Sequence, residues 1–139
     1  PYTESFVDAN LPGGIFKKTP YLGFPVSMSG TCVFPYCRKS DTAVENTTEA
    51  EMTAGNHLGK ALRWLHLFMD DLGLAFDGPV PVAEDNSATR IIAHTGKLTR
   101  NTRHIALKTL SLQTLIRERI AQFRAIGPAS YTHLTLPTN

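Results

Sequence analysis

Short runs in which apolar and polar residues alternate occupy the first part of the chain, and turn residues separate them. Such alternation is typical of β-strands, because successive side chains of a strand point to opposite faces of its sheet. We expect three strands here, at Ser5–Asp8, Tyr21–Met28 and Thr31–Tyr36. Pro25 and Pro35 lie within the second and third of these strands. Since proline cannot donate a backbone hydrogen bond, both strands are expected to lie at a sheet edge or to carry a bulge.

A different spacing begins near Thr48, where apolar residues recur every three or four positions, as on one face of an α-helix. The apolar positions are Leu58, Ala61, Leu62, Leu65, Phe68, Met69 and Leu72. We expect a helix from about Thr48 to Leu72, which Gly73 ends. Thr48 and Glu51 also have the S/T-x-x-E spacing of a capping box at its start.

The remaining pattern predicts one more strand and two more helices. The strand alternates at Val80 and Val82 and runs into Asp85. The helices are expected at Ser87–His94 and at about Ile105–Phe123. A helix that joins two strands of one sheet makes a right-handed crossover and lays those strands parallel. We therefore predict an α/β fold: a three-stranded antiparallel meander, a crossover helix and a parallel fourth strand, with flanking helices and no fifth strand.

Three carboxylates lie where this topology would bring them together. Asp8 ends the first predicted strand, Asp85 ends the fourth, and Glu51 lies in the first turn of the crossover helix. Converging carboxylates repel one another unless a cation lies between them, and a set of oxygen ligands alone favours Mg²⁺ or Mn²⁺. Two such ions, about 3.5 to 4 Å apart, can flank a phosphodiester bond during its hydrolysis. The alternative for Glu51 is a stabilising charge at a helix N-terminus, with no role in a site.

The charges are unevenly distributed along the chain. Up to Asp85 the sequence has 11 acidic and 6 basic residues, whereas after it Glu118 alone opposes 8 basic residues. A basic half of this kind is either a solvated face or a surface that binds phosphate backbones.

Composition and length exclude several classes of protein. With 139 residues, 42% of them hydrophobic, the chain suits one domain with a core. No apolar run approaches the roughly 20 residues of a membrane span. No signal peptide is visible, and the start at Pro1 predicts a fragment or a processed product. Cys32 and Cys37 lie close together, which favours reduced thiols and an intracellular location, in a cytoplasmic particle or the nucleus.

Four segments of the chain resemble, in the same order, the ribonuclease H region of copia-type LTR retrotransposon polyproteins. They read FVDANLPGG, TTEAEMTAGNHLGKALRWL, AEDNSATRIIA and TRHIALKTL. The family reads approximately V-D-x-D-W-A-G, S-T-E-A-E-Y, D-N-Q-x-x-I and K-H-I-D at these places. The combination of T-E-A-E with E-D-N is the more specific part, and the match extends from about residue 6 to residue 120.

This resemblance implies a fold, an activity and a set of site residues. It implies a ribonuclease H-like fold, hydrolysis of the RNA strand of RNA–DNA hybrids, and a reverse transcriptase domain that precedes this one in a polyprotein. By motif, Asp8, Glu51 and Asp85 correspond to the catalytic carboxylates, which would hold two Mg²⁺ or Mn²⁺ ions. Glu49 is then expected to interact with the helix N-terminus. Glu84 is expected to lie outside the metal site, because it alternates to the opposite strand face from Asp85.

Four residues of the basic half complete the expected site. We expect Lys97, Arg100 and Arg103 to contact the nucleic-acid backbone. His104, which matches the histidine of the family's H-I-D, is expected to have a structural role as a buried, hydrogen-bonded side chain.

The end of the chain departs from the family. The family continues into a fifth strand and a segment that resembles the source of a fourth carboxylate, whereas no acidic residue follows Glu118 here. We expect a ribonuclease H-like domain over residues 1–127, incomplete at its C-terminus, and an unrelated tail over residues 128–139 that is disordered or artefactual. The alternative to an active nuclease is therefore a truncated, inactive remnant that keeps the fold and at most binds nucleic acid.

Overall fold

A mixed five-stranded sheet with helices packed against it forms the protein. The computed structural model describes residues 2–10, 19–98, 100 and 105–126. The elements in chain order are β1 (Thr3–Asn10), β2 (Tyr21–Met28), β3 (Thr31–Lys39), α1 (Thr47–Asp71), β4 (Val80–Glu84), α2 (Ser87–Thr95), α3 (Ala106–Arg117) and β5 (Ala121–Arg124). The strand order across the sheet is β3-β2-β1-β4-β5.

The predicted topology of the first four strands is confirmed. β1 pairs antiparallel with β2, and β2 with β3, whereas β1 pairs parallel with β4 after the crossover through α1. Pro25 lies opposite Pro35 in the β2–β3 ladder, so neither of these two residues donates to it. β3 is the sheet edge, and the ladder shifts its register between Val26 and Ser27. The edge and the bulge that the prolines predicted are therefore both present.

The start of α1 differs from the predicted capping box. Asn46 is the N-cap, and its side chain accepts a hydrogen bond from the Glu49 backbone N–H at 2.9 Å. Glu49 in turn accepts from the Glu45 N–H at 2.8 Å and pairs with Lys108 at 3.0 Å. The predicted pairing of Thr48 with Glu51 is wrong because the helix begins two residues before the motif requires. The expectation for Glu49 is confirmed, and capping does not account for Glu51.

The core lies between the sheet and the two helices α1 and α3. Its largest fully buried apolar side chains are Leu22, Phe24, Met52, Leu58, Leu62, Ile105, Leu112 and Leu115. α1 and α3 approach closely at Gly59, where an added Cβ would lie 2.5 Å from Leu115 Cδ1. α1 also packs against β1 and β2, and β1 is the middle strand of the sheet.

The prediction of no fifth strand is wrong, and so is the C-terminal bound of the predicted last helix. α3 ends at Arg117, Arg119 has a left-handed φ of 58°, and β5 then pairs parallel to β4. Ala121 and Phe123 are buried in the core. The four residues of β5, with two apolar side chains that face the core, fit the end of a helical pattern as well as they fit a strand. Pairing with β4 makes this segment a strand.

Three of the predictions concern residues that the structure does not describe. Arg103, His104 and the tail at residues 128–139 lie outside the described ranges. Within the described part of the chain, no helix combines the length and the apolar character that crossing a membrane requires.

Candidate metal centre

Glu51 is buried between α1 and the sheet, and only 3% of it is exposed. Its Oε1 accepts a hydrogen bond from the Ala9 backbone N–H at 3.1 Å, which links α1 to β1. Its Oε2 is also buried, and no hydrogen-bond donor of the described residues reaches it. A buried acceptor of this kind is costly, so a cation ligand is a better account of Glu51 than a packing role.

Glu84, the last residue of β4, is completely buried. It follows Val80 and Val82 on the strand face that belongs to the core. Its Oε1 accepts from the Asn86 backbone N–H at 2.9 Å, whereas no donor among the described residues reaches its Oε2. Carboxyl oxygens of Glu51, Glu84 and Asp85 all lie within 4.8 Å of one another.

The expectation that Glu84 lies outside the carboxylate cluster is therefore wrong. Alternation does turn Glu84 toward the core face, but that is the face against which α1 packs, so Glu84 meets Glu51 there. Asp85 lies beyond the last paired residue of β4, so alternation no longer determines where its side chain points. The side chains of Glu84 and Asp85 consequently both lie beside Glu51.

The turn after β4 is held by hydrogen bonds that fix these two carboxylates. The Arg90 guanidinium donates to the backbone carbonyl oxygens of Glu84 and Asp85. Asn86 is the N-cap of α2 and accepts from the Thr89 backbone N–H at 3.1 Å. Sequence reasoning did not identify Arg90, and its place one turn after the carboxylates is the signal that could have found it.

Asp8 lies next to the cluster rather than within it. It is exposed, and it follows Val7, which pairs in parallel register with Glu84. Asp8 is absent from the 4.8 Å group of described residues, although its charge is close enough to raise the pKa of Glu51. It also lines an open groove of about 500 Å³ together with Phe6. The structure thus brings Glu51 and Asp85 together, with Asp8 beside them.

Burial makes the charged forms of the two glutamates unfavourable. It raises the pKa of Glu51 to about 8, with the charge of Glu84 adding to the effect and the Ala9 N–H opposing it. It raises the pKa of Glu84 to about 7, against the Asn86 N–H, and the nearby Asp85 carboxyl raises it further. A cation that replaced protons here would relieve the same repulsion.

The donor set fits a hard divalent cation. It consists of carboxylate oxygens alone, which is the chemistry that Mg²⁺ and Mn²⁺ prefer. Oxygen ligands bind Mg²⁺ at about 2.0 to 2.1 Å, so oxygens within 4.8 Å of one another are close to the spacing that one ion requires. Glu51 and Glu84 each also have a buried oxygen, Oε2, that no donor among the described residues reaches.

The predicted nucleic-acid contacts are only partly described. Lys97, which follows α2, and Arg100 are both exposed. Their exposure is compatible with binding a phosphate backbone, and their role stays a prediction.

Comparison with known proteins gives one sequence relative and several structural ones. No protein-family model matches the chain. The retrovirus-related Pol polyprotein from transposon TNT 1-94 of Nicotiana tabacum is 30% identical over 74 residues, which is 53% of this chain. The chain spans 6% of that polyprotein's length.

Two ribonucleases H1 and a viral reverse transcriptase are among the similar solved structures. A ribonuclease H1 isolated from compost has a TM-score of 0.66 at 16% identity, over 94% of this chain and 87% of its own. The ribonuclease H1 of Halobacterium salinarum has a TM-score of 0.63 at 14% identity, over 94% and 89%. The foamy viral protease-reverse transcriptase, solved with an RNA/DNA hybrid, has a TM-score of 0.64 at 10% identity, over 96% of this chain and 18% of its own. The chain therefore has a ribonuclease H-like fold, and its resemblance to the Pol polyproteins of copia-type retrotransposons is confirmed.

Proposed function

We propose that the chain is a divalent-metal-dependent endonuclease domain that hydrolyses the RNA strand of RNA–DNA hybrids. The observation that carries this proposal is the grouping of Glu51, Glu84 and Asp85 at the carboxyl end of β4. Two structures with similar folds, the compost ribonuclease H1 and the foamy viral protein, were solved with RNA/DNA hybrids. In a Pol polyprotein the domain would work beside a reverse transcriptase, which makes such hybrids.

The residues of the centre have distinct parts in this proposal. Glu51 and Asp85 would hold the cations, with Asp8 completing the set at its exposed side. Mg²⁺ or Mn²⁺ at such a centre, as two ions, neutralises phosphate charge and activates water for attack on phosphorus. The Ala9 N–H and the Arg90 guanidinium keep Glu51 and the turn after β4 in place, so the carboxylates are positioned before substrate arrives.

The proposed substrate also gives a part to basic residues that follow β4. Lys97 and Arg100, which are both exposed, would bind phosphates of the duplex. The RNA strand would be distinguished by its 2′-hydroxyl groups, which line the wide, shallow minor groove of the hybrid.

A cleavage assay tests the proposal. A labelled RNA–DNA hybrid, a DNA duplex and an RNA duplex of the same sequence are incubated with the protein and Mg²⁺. We expect cleavage of the RNA strand in the hybrid alone, and a loss of about 100-fold or more in Asp85→Asn. Glu118→Gln, which removes an exposed carboxylate paired with Arg63, is the matched control and should cut normally.

Each other outcome decides against a defined part of the proposal. Hybrid binding without cleavage by the wild-type protein would favour the inactive remnant. Equal cleavage by the wild-type protein and Asp85→Asn would show that the carboxylates are wrongly assigned, or that the activity is a contaminant.

A further inference from the structure

Glu84 has a feature that the three carboxylates named by resemblance do not explain. It is the most buried carboxylate of the cluster, with no exposed surface, and it follows two valines on the core face of β4. An apolar residue at this position would continue the core without any cost of desolvation.

The hydrogen bonds of Glu84 satisfy only one of its two carboxyl oxygens. Oε1 accepts a hydrogen bond from the Asn86 N–H, which links the carboxylate to the turn after β4. Oε2 is buried with no donor among the described residues, and Glu51 Oε2 is in the same condition. Two neighbouring buried carboxylates, each with one oxygen that no described donor reaches, form a site that a cation would satisfy.

We propose that Glu84 is itself a cation ligand, which together with Glu51 and Asp85 holds one divalent ion on the buried side of the centre. Glu84 and Asp85 would supply two ligands from consecutive residues at the end of β4. Because Glu51 is linked to β1 through Ala9, cation binding at this position would also connect β4, α1 and β1. This inference rests on the proposed function for its biological use, but it is tested by metal binding.

The test measures Mn²⁺ binding to the purified protein by isothermal titration calorimetry, without substrate. Glu84→Gln keeps the shape of the side chain and an acceptor for the Asn86 N–H, and it removes the negative charge. We expect its Mn²⁺ affinity to fall about tenfold or more. Glu118→Gln is the control for loss of one acidic charge and should bind Mn²⁺ as the wild type does, whereas Glu51→Gln should lose affinity as Glu84→Gln does.

A second variant distinguishes loss of a cation ligand from loss of the fold. Glu84→Asp keeps the charge and shortens the side chain by one methylene, so we expect Mn²⁺ affinity between those of Glu84→Gln and the wild type. Circular dichroism of each variant establishes that it is folded before titration.

The outcomes separate this inference from the proposed function. Wild-type Mn²⁺ affinity in folded Glu84→Gln, together with weakened binding in Asp85→Asn, would overturn the role of Glu84 and leave the nuclease proposal standing. Glu84-dependent Mn²⁺ binding by a protein that cuts no hybrid would uphold the cation site and overturn the nuclease proposal. Absence of Mn²⁺ binding at millimolar concentration would overturn both.

Discussion

Val7 on β1 pairs in parallel register with Glu84 on β4. The next residues along the chain are Asp8 and Asp85, and both are exposed. This register therefore separates a buried carboxylate, Glu84, which lies beside Glu51, from the exposed carboxylates that follow on each strand.

Asp8→Asn should impair cleavage without destabilising the protein. Asp8 is exposed, so we expect the free energy of unfolding to change by no more than about 0.5 kcal/mol. Hybrid cleavage should fall roughly 100-fold, because the exposed side of the carboxylate cluster loses one negative charge. Glu4→Gln is the matched control, since Glu4 is exposed on the same strand. Wild-type cleavage by Asp8→Asn would remove Asp8 from the site.

Two substitutions of Glu51 should separate its structural and catalytic parts. Glu51→Ala leaves the buried Ala9 N–H without its acceptor and should lower the free energy of unfolding by about 1 to 3 kcal/mol. Glu51→Gln keeps an acceptor oxygen and removes a carboxyl group whose charged form burial makes unfavourable, so in chelator it should be at least as stable as the wild type. Urea unfolding in EDTA measures the difference, and both variants should lose cleavage. Equal instability of both would mean that the charge, rather than the acceptor, holds α1 against β1.

Divalent cations should stabilise the folded protein. A cation that binds only the folded centre adds about 2.7 kcal/mol at a free concentration 100 times its Kd. We expect Mn²⁺ or Mg²⁺ at that level to raise Tm by roughly 10 °C, and EDTA to reverse the shift. The control is NaCl at matched ionic strength. An equal shift with NaCl would indicate general screening of the acidic half rather than a site.

His66 should lower the stability of the fold as the pH falls, whereas the raised pKa values of Glu51 and Glu84 act on the free energy of unfolding in the opposite direction. Burial lowers the pKa of His66 below its usual value, although its hydrogen bond with the Ile120 carbonyl and the charge of Asp70 act in the opposite direction. Because the folded pKa lies below the unfolded one, acidification protonates the unfolded chain first. The stabilisation is complete above the unfolded pKa of about 6.5 and is lost as the pH falls through it.

The substitution His66→Gln tests this dependence. Glutamine can still donate an N–H to the Ile120 carbonyl but does not titrate. The stability of His66→Gln relative to the wild type should therefore be greater at about pH 5.5 than at about pH 7.5. An identical change of unfolding free energy with pH in urea titrations of the two proteins would exclude His66 as a source of the pH dependence.

Lys97 and Arg100 should contribute to hybrid affinity through phosphate contacts. In an Asp85→Asn background, which prevents cleavage, each alanine substitution should weaken binding and reduce the slope of log K against log salt by about 0.9. Fluorescence anisotropy over a series of NaCl concentrations measures the slope. Arg38→Ala is the control, because Arg38 is exposed on β3 and pairs with Asp41 at 3.0 Å. An unchanged slope in the Lys97 and Arg100 variants would place the phosphate contacts elsewhere.

Local patterns in the sequence were sufficient to predict the first four strands and the crossover helix. Alternation marked β2, β3 and β4, helical spacing marked α1, and the handedness of crossovers placed β4 parallel to β1. Glu51 and Asp85 could be proposed as neighbours for the same reason, since one begins the crossover and the other ends the strand that it leads to. The resemblance to a known family identified the same two residues.

Other features were decided only by tertiary structure. β5 has four residues, and its two inward positions, Ala121 and Phe123, fit a helix as well until pairing with β4 selects the strand. Glu84 was misplaced because alternation assigns a residue to a strand face but cannot say what packs on that face. Only the packing of α1 against the sheet brings Glu51 beside Glu84, and contacts between residues so far apart in sequence leave no local pattern.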